Sequence, residues 1–268
     1  MPGIEWILLY IALGALVGFM AGLLGLGGGG ILVPLLASIF TYQGIGAGNV
    51  VHLALGTALA CMIISSTAST RAHAARGNIA WKVVGGMAPG IILGAFLVTQ
   101  FAANINASYI ASFFALFMAL IAGQMFVNWQ PTPSTTPTTL PGLFAAAIGI
   151  GSLSALAAVG GGFLTIAYLG YKNIGMKNAI GTSAAIGLPI AITGAVGYMI
   201  SGWSRTLGDA YTLGYVYVPA FLAISIASVI AAPYGVRCSQ KLPEAYLKKI
   251  FAVISLLLSI KMLAYAAN

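Results

Sequence analysis

The sequence predicts an all-α polytopic membrane protein of about ten transmembrane segments, built as two inverted five-segment repeats with broken or short helices after glycine runs. Three observations carry that expectation. The chain has 268 residues, of which 60% are hydrophobic and only 5% charged, whereas soluble domains are about a quarter charged. Residues 6–70, 83–171, 178–204 and 210–236 contain no Asp, Glu, Lys or Arg, and at about 20 apolar residues per transmembrane helix these runs hold several spans. The chain also reads twice. "GGGILVPLL" at 28–36 resembles "GGGFLTIAYL" at 160–169, and "HLALGTALA" at 52–60 resembles "KNAIGTSAA" at 177–185. Internal duplication of this kind is characteristic of transporters.

The elements follow in order. Glu5 precedes an apolar run of span length from Trp6, which reads as a first span and not as a cleavable leader. It carries the ladder Gly14, Gly18, Gly22, which lets helices touch. The glycine run through Gly30 then leads into a short apolar piece, Ile31 to Phe40, about 15 Å of helix at 1.5 Å per residue. A third span starts near Asn49 and ends in the polar stripe "SSTASTR". A fourth, around Pro89, carries a second ladder, Gly86, Gly90, Gly94, and a fifth closes the half over 107–129. The Pro/Thr-rich segment 130–141 reads as a linker between a first repeat, 1–129, and a second, 142–268. In the second repeat the corresponding marks are Gly160–Gly162, a span from near Ile174, a span around Pro219 and a closing span over 246–267.

The basic residues choose the orientation. With residues 71–82 cytoplasmic and five spans per half, Arg71, Arg76, Lys82, Lys172, Lys177, Arg237, Lys241, Lys248 and Lys249 fall inside, and only Arg205 and Lys261 outside. Four spans per half would scatter them evenly, against the rule that positive residues collect on the cytoplasmic face. An odd number of spans inverts the second half, so both termini are expected outside the cytoplasm. The net charge of +8 then reflects loop residues and gives no reason to expect a nucleic-acid partner.

Irregular backbone at membrane depth is tolerated only where protein buries it or where it lines a water-filled cavity. A helix that starts there exposes unpaired N–H groups backed by the positive end of its dipole, a ready site for an anion. Gly28, Gly29 and Gly30, with Gly160, Gly161 and Gly162, are therefore candidate substrate-binding residues converging near the midplane, with close helix packing as the competing reading. Thr57, and Thr182 with Ser183, lie about eight residues or about 12 Å into their spans and are candidate oxyanion donors. The alternative is a bond to their own helix carbonyls. His52, Arg71 and Lys177 are candidate pathway or steering residues, with a structural histidine and a topology-setting loop as the plainer alternatives. The carboxylates, Glu5, Asp209 and Glu244, fall near span ends, so no midplane proton relay is expected. Two histidines and two cysteines, Cys61 and Cys238, make no metal, cofactor or catalytic pattern.

"GFMAGLLGLGGGGILVPLL", the "GT" after "HLAL", the stretch "STRAHAARGNIAW" and the repeat ending "GTSAA" together resemble the sulfite exporter TauE/SafE family over roughly residues 10–265. The resemblance implies a non-enzymatic carrier in the cell (inner) membrane for sulfite, sulfoacetate or other organosulfonates. Its partners would be a small anionic substrate and the lipid bilayer, with a homodimer formed through the small-xxx-small faces. An exported anion gains about 2.3 kcal/mol per charge per 100 mV of inside-negative potential, so potential and gradient can suffice as driving force. An anion channel, a proton-coupled carrier using His52 or His73, a non-transporting membrane subunit and a membrane-embedded enzyme are the alternatives.

Overall fold

A computed structural model of the chain describes residues 3–24, 28–46, 48–127, 140–206, 210–239 and 244–267. Asp209, Lys241 and the linker up to residue 139 lie outside the described residues, whereas Leu140 and Pro141 open a helix. The described helices are α1 (Ile4–Leu24), α2 (Gly29–Gln43), α3 (Val50–Ala74), α4 (Trp81–Ala102), α5 (Ala107–Val127), α6 (Leu140–Leu156), α7 (Gly162–Tyr171), α8 (Met176–Gly202), α9 (Val218–Ser239) and α10 (Glu244–Ala267). Six of them, α1, α3, α4, α5, α8 and α9, are long and apolar enough to cross a membrane, and the others contain shorter apolar helices. Large apolar side chains such as Leu97, Leu116, Leu120, Ile226, Ile230 and Leu257 stand exposed around the bundle, the surface that a lipid-embedded protein turns outward.

The core is the pair α3 and α8. Across its span α3 is 78% buried and α8 61%, against 33% for α1, α4 and α9. The two run antiparallel: Thr70 Oγ1 near the end of α3 donates to the Ala184 carbonyl near the start of α8 at 3.1 Å, while Leu59 faces Gly194 and Ser66 faces Gly187. The outer helices pack by exchange between the halves. α1 lies on α9 just as α6 lies on α4, and α5 pairs with α10.

Those exchanged contacts are where the glycine ladders act. A Cβ at Gly14 would sit 2.5 Å from the Ile224 carbonyl oxygen, and one at Gly18 would strike the Ser228 backbone. In the equivalent pair a Cβ at Gly90 would sit 2.5 Å from the Phe144 carbonyl oxygen, and one at Gly94 would strike that of Ile148. Both ladders therefore serve close packing within the chain. The homodimer expected through these faces finds them already covered by α9 and α6.

One element was not expected. A short antiparallel hairpin pairs Thr212 with Tyr217 and Leu213 with Val216, turning at Gly214 with φ +54°, and delivers the chain into α9.

Candidate functional site

α1 ends at Leu24, and the chain restarts at Gly28, whose φ of +69° is a left-handed conformation open to glycine at little cost. Gly28 is buried beside the middle of α1: a Cβ there would lie 2.7 Å from Val17 Cγ1 and 3.2 Å from the Ala21 methyl. Val17 precedes the end of α1 by seven residues, about 10 Å, so α2 begins beside the body of α1 and not beyond its end. A methyl on Gly29 would collide with the Ala158 carbonyl oxygen and lie 3.2 Å from Met62 Sδ. Met62 is the midpoint of α3. The first glycine break thus meets residues 158–159, just before the second break, halfway along the central helix.

The second break is built differently. Gly160, Gly161 and Gly162 are buried, and α7 starts from Gly161. A Cβ on Gly161 would lie 2.9 Å from Ile186 Cγ2, 3.2 Å from the Ser183 carbonyl oxygen and 3.2 Å from Thr165 Oγ1. Thr165 is fully buried, and its hydroxyl has no hydrogen-bond partner. On the facing helix Gly187 leaves room: a Cβ there would stand 3.3 Å from Ser66 Oγ and 3.7 Å from the Gly161 nitrogen. The backbone N–H of Gly161 has no acceptor among the described residues. The Gly161 main chain is therefore flanked by two hydroxyls, Thr165 Oγ1 on its Cβ side and, across the room left by Gly187, Ser66 Oγ on its nitrogen side.

The other expected donors lie elsewhere. Thr57 is fully buried; its hydroxyl donates to the Leu53 carbonyl at 2.7 Å and accepts from the Tyr217 N–H at 3.0 Å. Thr182 accepts from the Ala80 N–H at 3.0 Å. Since Thr70 lies opposite Ala184, Thr182 is level with the last turn of α3, roughly 20 Å along the helix from Thr57. The structure does not bring these two together. Each instead seats the extended piece before a helix of the other repeat, Tyr215–Tyr217 before α9 and Asn78–Ala80 before α4. Gly56 and Gly181 admit these pieces, because a methyl at either would strike the carbonyl of Tyr215 or Asn78. Ser183 Oγ donates to the Ile180 carbonyl at 2.9 Å, so it is the Ser183 backbone that faces Gly161.

The steering residues divide similarly. His52 is buried, with Nε2 3.0 Å from the Ala102 carbonyl and the ring stacked on Tyr215 at 5.1 Å between centroids. Arg71 and Lys177 are exposed.

The family model described as Sulfite exporter TauE/SafE matches residues 10–262. The chain belongs to this family. A probable membrane transporter protein of Haemophilus influenzae is 35% identical over 260 residues, covering 96% of this chain and 98% of the relative. One of Methanocaldococcus jannaschii is 30% identical over 255 residues, covering 92% and 91%, and one of Bacillus subtilis is 28% identical over 240 residues, covering 87% and 90%. No solved structure matches the chain. This TauE/SafE protein is a multi-pass membrane transporter and not an enzyme.

In this TauE/SafE chain the sequence reading passed over Thr165 and Gly187, and took Ser66 only as part of the polar stripe "SSTASTR". A signal lay in the differences between the halves. Thr165 stands where the first repeat has Val33, and Gly187 where it has Met62.

Proposed function

We propose that this transporter exports small sulfur-containing anions, such as sulfite, sulfoacetate or other organosulfonates, driven by membrane potential and substrate gradient. It is read as two inverted five-helix repeats in the cell (inner) membrane, with both termini extracytoplasmic. The antiparallel run of α3 and α8, corresponding helices of the two repeats, supports inversion, as does the exchange of α1 and α6 onto the opposite half. The observation that carries the reading is the meeting of the two glycine breaks halfway along α3. Helix starts at membrane depth are the recurring substrate site of secondary transporters. Gly28–Gly30 and Gly160–Gly162 form that region. Gly-Thr at Thr57 and Thr182, with Ser183, fixes the helices that frame it, His52 braces the end of α4, and Arg71 and Lys177 attract anions at the surface.

The test is flux of a labelled sulfonate from liposomes holding the purified protein. Flux should rise with a potential negative on the loaded side and should not respond to a proton gradient imposed at constant potential. Strict dependence on the proton gradient rejects uniport, and absence of counterflow identifies a channel.

A further inference from the structure

The two breaks are equivalent in sequence but not in chemistry. At the start of α2 the space around Gly29 and Gly30 is filled. Met62 Sδ stands 3.2 Å from a Gly29 Cβ position, and Val159 Cγ2 and Met118 Cε stand 3.1 and 3.4 Å from that of Gly30. Val33, one turn into α2, is fully buried and apolar. At the start of α7 the residue one turn in is Thr165, and the facing position is Gly187 instead of a methionine. A fully buried hydroxyl without a partner is costly in an apolar interior. Here it lies beside the Gly161 main chain, and Ser66 Oγ approaches from α3 on the nitrogen side of the same residue, across Gly187.

We infer that the substrate oxygens bind at only one of the two helix starts, that of α7, held by the Gly161 N–H, Thr165 Oγ1 and Ser66 Oγ in the room left by Gly187. The inference rests on the reading of the chain as an anion carrier and narrows its substrate. The segments that build the site, residues 59–70, 158–170 and 183–190, contain no Lys, Arg or His. Neutral donors gain roughly in proportion to the ligand's charge, whereas the cost of taking an ion out of water rises with the square of that charge. The site therefore selects a singly charged oxyanion, a sulfonate or hydrogensulfite, over a dianion such as sulfate. The start of α2 is a packing surface.

The experiment uses the full chain purified in detergent, with methanesulfonate and sulfate as probes, and measures both affinity and thermal melting. Thr165→Val keeps the side-chain shape and removes the hydroxyl. It should weaken methanesulfonate binding about tenfold or more, the loss expected for a hydrogen bond to a charged group. Without ligand it should melt at or above the wild-type temperature, because the unpartnered hydroxyl is gone. A merely structural role moves melting down and leaves affinity alone. Thr165→Ser should restore most of the affinity. Gly187→Ala, whose methyl meets no backbone atom closer than 3.7 Å and asks Ser66 Oγ at 3.3 Å to give slightly, should also weaken binding, and it carries the test if Thr165→Val does not fold. Wild-type affinity in both Thr165→Val and Gly187→Ala overturns the α7 site while leaving the transport reading in place. Sulfate bound as tightly as methanesulfonate overturns the selection for single charge. A wild-type protein that neither binds nor moves either anion removes the transport reading and the inference together.

Discussion

Substituting alanine at Gly29 and at Gly161 should give different results, although the two glycines hold the same place in the repeat. At Gly29 the added methyl meets the carbonyl oxygen of Ala158, a backbone atom. Ala158 itself has a φ of +46°, a conformation that alanine rarely adopts and that leaves little freedom to yield. Over-packing of this kind costs about 1–3 kcal/mol, with the upper half expected where backbone must move. The gain in helix propensity returns up to about 1 kcal/mol. The net loss of about 1–2 kcal/mol corresponds to a melting temperature lower by roughly 2–8 °C, at about 2–4 °C per kcal/mol. At Gly161 the closest atom is Cγ2 of Ile186 at 2.9 Å, a side-chain carbon fixed to Cβ of a buried β-branched residue, which must shift by a few tenths of an ångström. Gly161 is the N-cap of α7, where alanine brings no propensity gain, so a cost of about 1 kcal/mol should lower melting by roughly 2–4 °C. The same methyl stands 3.2 Å from Thr165 Oγ1 and should crowd a bound anion. The assay is melting temperature and sulfonate affinity on the same detergent-purified sample, with Gly18→Ala as the packing control. A Gly29→Ala protein as stable as wild type, or a Gly161→Ala protein that loses stability but keeps affinity, would refute this account of the breaks.

Further outcomes follow from the seating of the helix starts and from the orientation. Thr57→Val leaves the buried Tyr217 N–H without its acceptor at 3.0 Å and should cost about 1–3 kcal/mol, read as a lowered melting temperature. Thr182→Val should cost less, because its partner Ala80 is only half-buried; equal stability of wild type and Thr57→Val would count against the seat. In intact cells, with Cys238 changed to Ser, a Tyr42→Cys side chain should react with a membrane-impermeant maleimide. An Ala75→Cys side chain should react only after permeabilisation, and the reverse pattern rejects the orientation with both termini extracytoplasmic. In the native chain, exposed Cys238 should likewise be protected from outside reagent, while buried Cys61 should stay unreactive in both conditions.

Much of the fold was legible because lipid imposes simple rules. Charge-free runs marked the helices, the small-residue spacing of Gly14, Gly18, Gly90 and Gly94 marked tight contacts, and the duplicated glycine runs marked the breaks. The hairpin before α9 also had a local signal, the β-branched and aromatic residues flanking Gly214 in "YTLGYVYV". The expectation of pure helix overrode it. The roles of Thr57 and Thr182 were hidden for another reason. Depth along a single helix says nothing about direction, and in an antiparallel pair two residues equally deep in their own helices lie on opposite sides of the centre. Thr165 could not be separated from other membrane hydroxyls by type; its replacement of Val33 between the repeats was a faint signal, and its environment, buried and unpartnered beside Gly161, gives that signal its meaning.

The exchange of α1 onto α9 has a consequence for biosynthesis. α9 begins at Val218, about 190 residues after α1 ends at Leu24, which at roughly 5–20 residues per second is a wait of roughly 10–40 s. For that time the first helix sits in the bilayer with the Gly14–Gly18 face uncovered, open to any passing helix with a small-residue stripe. α6, by contrast, emerges after α4 is already in place and docks at once. The first helix of a nascent chain is thus the one exposed to mispairing, and mutations that slow synthesis between the halves should lower the yield of folded protein without changing its final stability.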